Sequence, residues 1–151
     1  MVNLKEPLSP HFLLKEFSCP CCGMVKTDDC EIKALEQLRG LAARPVRIVS
    51  GFRCIKHNGL VGGSPFSQHL YGRAADVVIY GLTSQKICRL AVQGNGFKQG
   101  GIGCYPQSLN HFAHVDTRGN GPHRWAMIGG EVRGMSEDEF LDFINGNDII
   151  A

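Results

Sequence analysis

Apolar positions recur at a helical period over residues 29–43, where Ile32, Leu35, Leu38 and Leu41 fall on one face. Asp28, with Glu31 three residues later, supplies a capping-box start, and Arg44-Pro45 ends the helix. The period then changes to two: Val46-Arg47-Ile48-Val49 alternates and is β-branched, which predicts a strand. Residues 55–68 hold Asn58-Gly59 and Gly62-Gly63-Ser64-Pro65 and read as a long loop. Ala74 to Tyr80 reads as a buried strand. Thr83 is an N-cap for a helix over 84–93 with Ile87, Leu90 and Ala91 facing inward. After a glycine-rich connection from Gly94, the segments Gly101–Tyr105 and Phe112–Asp116 pair as a hairpin, and residues 117–124 form a polar loop ending at Trp125. Ser136-Glu137-Asp138-Glu139 opens a short C-terminal helix over about 136–145, which needs tertiary packing to form. Residues 1–27, with Pro7, Pro10, Pro20 and a cysteine cluster, look irregular. The expected fold is α+β, a small antiparallel sheet with helices packed on one side, and a groove across the sheet for the site.

Composition narrows this picture without redirecting it. A chain of 151 residues suits one domain, 1–151, and 43% hydrophobic with 20% charged residues is the balance of a globular protein rather than a disordered one. The net charge of +2 comes from scattered Lys and Arg, which argues against nucleic acid as a partner. No stretch approaches the ~20 apolar residues of a membrane span. The N-terminus has no apolar segment of signal-peptide length, so synthesis in the cytoplasm and a monomeric state are expected.

The chemistry concentrates in Ser67-Gln68-His69-Leu70-Tyr71-Gly72-Arg73-Ala74-Ala75-Asp76 and in His114-Val115-Asp116. Two imidazoles and a carboxylate make a three-ligand zinc set that leaves a fourth position for water, which is what a catalytic zinc needs. Gly72, Ala74 and Ala75 leave room for close backbone approach. His114 and Asp116 lie two apart on a predicted strand and point to one face. One binds the metal, while the other acts on the bound water or orients a ligand.

These residues resemble peptidase family M15, the zinc D-Ala-D-Ala carboxypeptidases, in its small single-domain, phage-endolysin-like branch. Ser67-Gln68-His69 to Asp76 matches the Ser-x-His, six residues, Asp hallmark. Ser50-Gly51-Phe52-Arg53 resembles the Ser-Gly-Tyr-Arg segment, Phe112-Ala113-His114-Val115-Asp116 resembles Phe-Val-His-Val-Asp, and Leu13-Leu14-Lys15-Glu16-Phe17-Ser18-Cys19 resembles that branch's opening. The likeness covers roughly residues 10–125. It implies the hedgehog/DD-peptidase fold, with His69, Asp76 and His114 as ligands of one catalytic zinc. Arg53 would hold a substrate carboxylate or the developing oxyanion, with Ser67 and Gln68 beside it in substrate binding. The implied activity is hydrolysis of peptide bonds in peptidoglycan stem peptides, of carboxypeptidase or endopeptidase type, reached after release or phage delivery. Many family members place an acid three residues before the distal histidine; here that position is His111, so the general base is Asp116 or His111. A non-catalytic zinc-containing module for cell wall or protein, and a structural piece of a phage tail, are the competing readings.

Seven cysteines is an odd count. Cys19 and Cys22 have a C-x2-C spacing, which Cys30 and Cys54 would complete as a second, structural zinc site; free thiols or a disulfide are the alternatives. Cys88 and Cys104 read as core. Trp125 is a core anchor or a wall of the substrate groove.

Overall fold

The computed structural model describes residues 2–107 and 111–146, so the two extreme ends of the expected domain lie outside the described residues. Strands β1 (Pro7–Ser9) and β2 (Phe12–Leu13) form a small ribbon, followed by a 3-10 turn over Leu14–Phe17. The main sheet has six strands: β3 (Arg47–Ser50), β4 (Ala74–Val78), β5 (Gly101–Cys104), β6 (Ala113–Asp116), β7 (His123–Ile128) and β8 (Glu131–Met135), in the order β3-β4-β6-β5-β7-β8. Helices α1 (Asp29–Ala42), α2 (Ile55–Leu60), α3 (Ser84–Gln93) and α4 (Glu137–Asn145) complete the fold.

The α+β expectation holds, with one refinement: β5 and β7 pair in parallel while every other neighbour is antiparallel. The expected hairpin of β5 with β6 is present. The hairpin β7–β8 and the short helix α2 are additions, since both were read as loop or left unassigned. Ile55 and Leu60 of α2 are exposed, so that helix has no apolar face for a periodicity to reveal.

Alternation along the strands separates two chemistries. Ala75, Val77, Ile102, Cys104, Ala113, Val115 and Ala126 are buried together with Leu35, Leu38, Ile87, Phe140 and Ile144 of the helices, in one apolar cluster. The residues between them, Asp76, His114, Gly103 and Trp125, stand opposite one another across four adjacent strands. One face of the sheet is therefore core and the other carries a polar row.

Two details of the helices correct the sequence reading. Asp28 caps α1 through the Cys30 amide, but Glu31 does not complete the capping box; it turns into the interior and is 1% exposed. Leu41, expected inward, is 44% exposed, because α1 is ending and Ala43 enters the left-handed region at φ 52°. α4 forms as expected behind the Ser136 cap and packs on α3, β7 and β8. Cys88 and Cys104 are both fully buried, as expected.

Candidate metal centre

His69 comes from a 3-10 turn over Gln68–Tyr71. Ser67 caps that turn by accepting from the His69 amide at 3.3 Å. Gly72 closes it in the left-handed region at φ 70°, where an added Cβ would lie 2.5 Å from the Lys26 carbonyl oxygen. Both the conformation and the close approach require glycine. Asp76 and His114 face each other on β4 and β6. His69 is 1%, Asp76 5% and His114 7% exposed, so the three side chains meet almost out of water.

Their meeting atoms form a compact triangle. His69 Nε2 is 3.3 Å from Asp76 Oδ1 and 3.2 Å from His114 Nδ1, and His114 Nδ1 is 3.0 Å from Asp76 Oδ1. A tetrahedral zinc with bonds of about 2.05 Å separates its ligand atoms by about 3.3 Å, so the triangle has the size of three corners of such a site.

The outer atoms of each group explain why the inner ones converge. His69 Nδ1 donates to the Gly51 carbonyl at 2.6 Å, and His114 Nε2 donates to Asp116 Oδ2 at 2.8 Å. In its neutral form each imidazole thus keeps its lone pair on the inner nitrogen. Asp76 Oδ2 accepts from Arg53 Nη2 at 2.8 Å, which leaves Oδ1 for the centre. Two lone pairs and a carboxylate oxygen aimed at one point repel unless a cation stands between them. Histidine ligands backed by a carbonyl and a carboxylate are the usual support of a bound metal.

Electrostatics agree. Burial disfavours the charged form of Asp76, but the two histidines outweigh it and hold the carboxyl well below the ordinary carboxylate range. Burial lowers the His69 pKa. Burial also opposes charge on His114, yet Asp116 and Asp76 win and raise it to about 9. Without metal the centre therefore holds a proton at neutral pH, which a metal ion must displace.

Asp116 is one of the two residues expected as the general base. It is fully buried, and its oxygens accept from His114 Nε2, the Gly101 amide, and Arg118 Nε and Nη2. Alternation does put it on the face of His114, but one strand step deeper, behind the imidazole rather than beside its metal-facing nitrogen. Its Oδ2 holds the outer nitrogen of the His114 ring. His111 is exposed, with a positive φ of 47°, and its Nδ1 donates to the Pro106 carbonyl. Arg53 is drawn into the centre by Asp76 and is further held by Ser50 Oγ at 3.0 Å and Asn58 Oδ1 at 3.4 Å. Ser67 is engaged with the backbone, whereas Gln68 Oε1 is buried with no hydrogen-bond partner among the described residues.

Trp125, expected as a core anchor or a groove wall, lies beside His114, and Arg118 and Tyr105 carry no motif that marks them in the sequence. The Trp125 ring is tilted against that of His114 with centroids 4.9 Å apart, and the Arg118 guanidinium lies 5.5 Å from the Trp125 ring centroid. Trp125 Nε1 donates to the Tyr105 phenol oxygen at 2.8 Å, and Tyr105 feels the charges of both Asp76 and Arg53. Gly103 makes room for the indole: an added Cβ there would lie 2.3 Å from Trp125 Nε1. The cue in the sequence was the Gly-x-Gly of β5, whose bare backbone face admits a large neighbour.

A hollow of about 480 Å3 lined by Cys30, Lys33, Gln37, Gln99 and Thr117 opens beside α1, and the three metal-facing residues take no part in its lining.

Zinc D-Ala-D-Ala carboxypeptidase of Streptomyces albus G is 34% identical over 85 residues, which is 55% of this chain and 31% of that protein. The chain therefore spans less than a third of that relative's length in the match. The model of the peptidase M15 family matches residues 10–116, from the β1–β2 turn through both histidine motifs to the end of β6. The chain belongs to the peptidase M15 family.

Proposed function

We propose that the chain is a zinc-dependent peptidase that hydrolyses peptide bonds in peptidoglycan stem peptides. The observation that carries this reading is the triangle of His69 Nε2, Asp76 Oδ1 and His114 Nδ1, each with its outer atom already committed. The M15 match supports the reaction class, and the D-Ala-D-Ala carboxypeptidase activity of the Streptomyces albus G relative supports the substrate class.

A zinc ion held there would polarise the scissile carbonyl and lower the pKa of its bound water towards neutrality. The chain's own residues do the rest. Asp116 keeps the His114 ring in the ligating tautomer. Arg53 spends three of its N–H groups on Ser50, Asn58 and Asp76 and keeps two for a substrate carboxylate or developing oxyanion. The Pro106 carbonyl holds the proton on Nδ1 of His111, so Nε2 carries the lone pair that a base requires. His111 is accordingly the general base of this proposal. Trp125 and Tyr105 wall the centre on the β7 side. Delivery to the wall by release or in a virion is part of the same proposal.

The test is digestion of purified peptidoglycan by the native, chelated and zinc-restored protein. New amine termini that vanish on chelation and return with zinc support the peptidase, and product mass names the bond. The commitment of Asp116 to His114 favours one alternative, a zinc-holding wall-binding module that lacks a base. Bound zinc with wall binding but no cleavage, unchanged in His111→Ala, selects that module.

A further inference from the structure

We infer that Cys19, Cys21, Cys22 and Cys54 form a second metal site, a thiolate site for a zinc-like ion that fastens the N-terminal segment to the loop bearing Arg53. Cys19 Sγ lies 3.7 Å from Cys54 Sγ, and Cys54 Sγ lies 3.8 Å from Cys21 Sγ. The three sulfurs are all within 4.8 Å of one another. A disulfide would need about 2.05 Å. Tetrahedral zinc with Zn–S bonds of about 2.3 Å separates its sulfurs by about 3.8 Å. The spacing is that of sulfurs sharing an ion, not of sulfurs sharing a bond.

The backbone supports the same conclusion. Cys19-Pro20-Cys21-Cys22-Gly23-Met24 folds back on itself: the Cys19 amide donates to the Met24 carbonyl at 2.8 Å, the Gly23 amide donates to the Cys19 carbonyl at 2.8 Å, and Gly23 sits at φ 74°. Amides turn towards the sulfurs. The Cys54 amide donates to Cys19 Sγ at 3.5 Å, and the His57 amide donates to Cys54 Sγ at 3.3 Å. Burial raises the Cys19 thiol, but the amides of Cys54, Cys21 and Cys22 bring it down to about 7. Cys22 is exposed on the same turn, closed between Cys19 and Met24, and is taken as the fourth thiolate of the inferred site. Amide donors around a sulfur cluster stabilise thiolates, which are the ligating form.

The ligand set differs from the one the sequence spacing suggested. Cys30 starts α1, is exposed, and does not join the cluster; Cys21 takes its place. Binding would convert four S–H groups to thiolates and release their protons to solvent, with no change of oxidation state. The site is independent of His69, Asp76 and His114, so it stands or falls apart from the peptidase reading.

The test begins with metal content of protein purified under reducing conditions in zinc-containing medium. The expected result is about two zinc per chain, falling to about one in the double variant Cys19→Ser/Cys54→Ser and unchanged in Cys30→Ser. The unaltered chain provides a second measurement should the double variant not fold. Cobalt loaded in place of zinc should show intense sulfur-to-cobalt charge-transfer absorption. Reactive thiols should rise from about one per chain, Cys30, to about three or more on chelation, as Cys21 and Cys22 are released. Cobalt bound without thiolate absorption, or prompt labelling of Cys21 and Cys22 at any zinc level, would overturn the inference. So would a Cys19–Cys54 disulfide in the freshly purified protein.

Discussion

Asp116 shows how far a single residue can be understood from sequence alone. Two-residue spacing on a strand correctly put it on the face of His114. Spacing does not report depth, nor that the Gly101 amide from β5 and the Arg118 guanidinium two residues on occupy its oxygens. Asp116→Asn should therefore weaken zinc binding by roughly 10–100-fold, read by competition with a chelator, rather than abolish the chemistry at saturating zinc. Glu31 makes the complementary point. The sequence offered it as a capping residue, yet it is buried near Asp116, and burial followed by that negative charge pushes its pKa well above the ordinary 4.5. Above pH 4.5 the unfolded chain releases a proton that the folded chain keeps, so this residue makes stability fall as pH rises. The slope from one such group is at most about 1.4 kcal/mol per pH unit. Glu31→Gln should gain on the wild type as pH rises above about 5 in denaturant unfolding. A difference that stays flat with pH would show that Glu31 is ionised in the fold.

At the scale of elements, the sequence was most legible where burial is one-sided. α1, α3 and α4 each announce a cap and an apolar stripe, and β4 and β6 are apolar on the face that meets the helices. β7 and β8 were not legible, because Arg124 is buried with its guanidinium on the Gly100 and Lys98 carbonyls, and β8 is largely exposed. A charge inside and a polar edge both defeat a hydrophobic alternation. Tertiary burial carries α4: Phe140 and Ile144 are fully enclosed, and Phe140→Ala should cost about 3–5 kcal/mol in denaturant unfolding. The contact of β5 with β7 is testable at Gly103. Gly103→Ala should push the Trp125 ring away from Tyr105, cost about 1–3 kcal/mol, and change the fluorescence of the one tryptophan. Unchanged emission and stability would mean the indole does not lie against that strand.

For the whole molecule, the two faces of the sheet divide stability from chemistry, and metal joins them. An ion bound by the folded chain alone stabilises it by about 2.7 kcal/mol at a hundredfold excess over its dissociation constant. Thermal unfolding should therefore shift upward with added zinc and downward with chelator, and a midpoint indifferent to both would remove the ion from the fold's energetics. The row Asp76, His114, Gly103, Trp125 has a further consequence for assembly. Side chains alternate across a strand, so a slip of β6 by one residue would bring Ala113 or Val115 to the polar face and drive an imidazole into the apolar layer. No mispaired sheet can then gather two nitrogens and an oxygen at one point. An ion bound at that point would act as a proofreading step for strand alignment: chains paired in the correct frame would be locked, and the rest would stay free to unzip and try again.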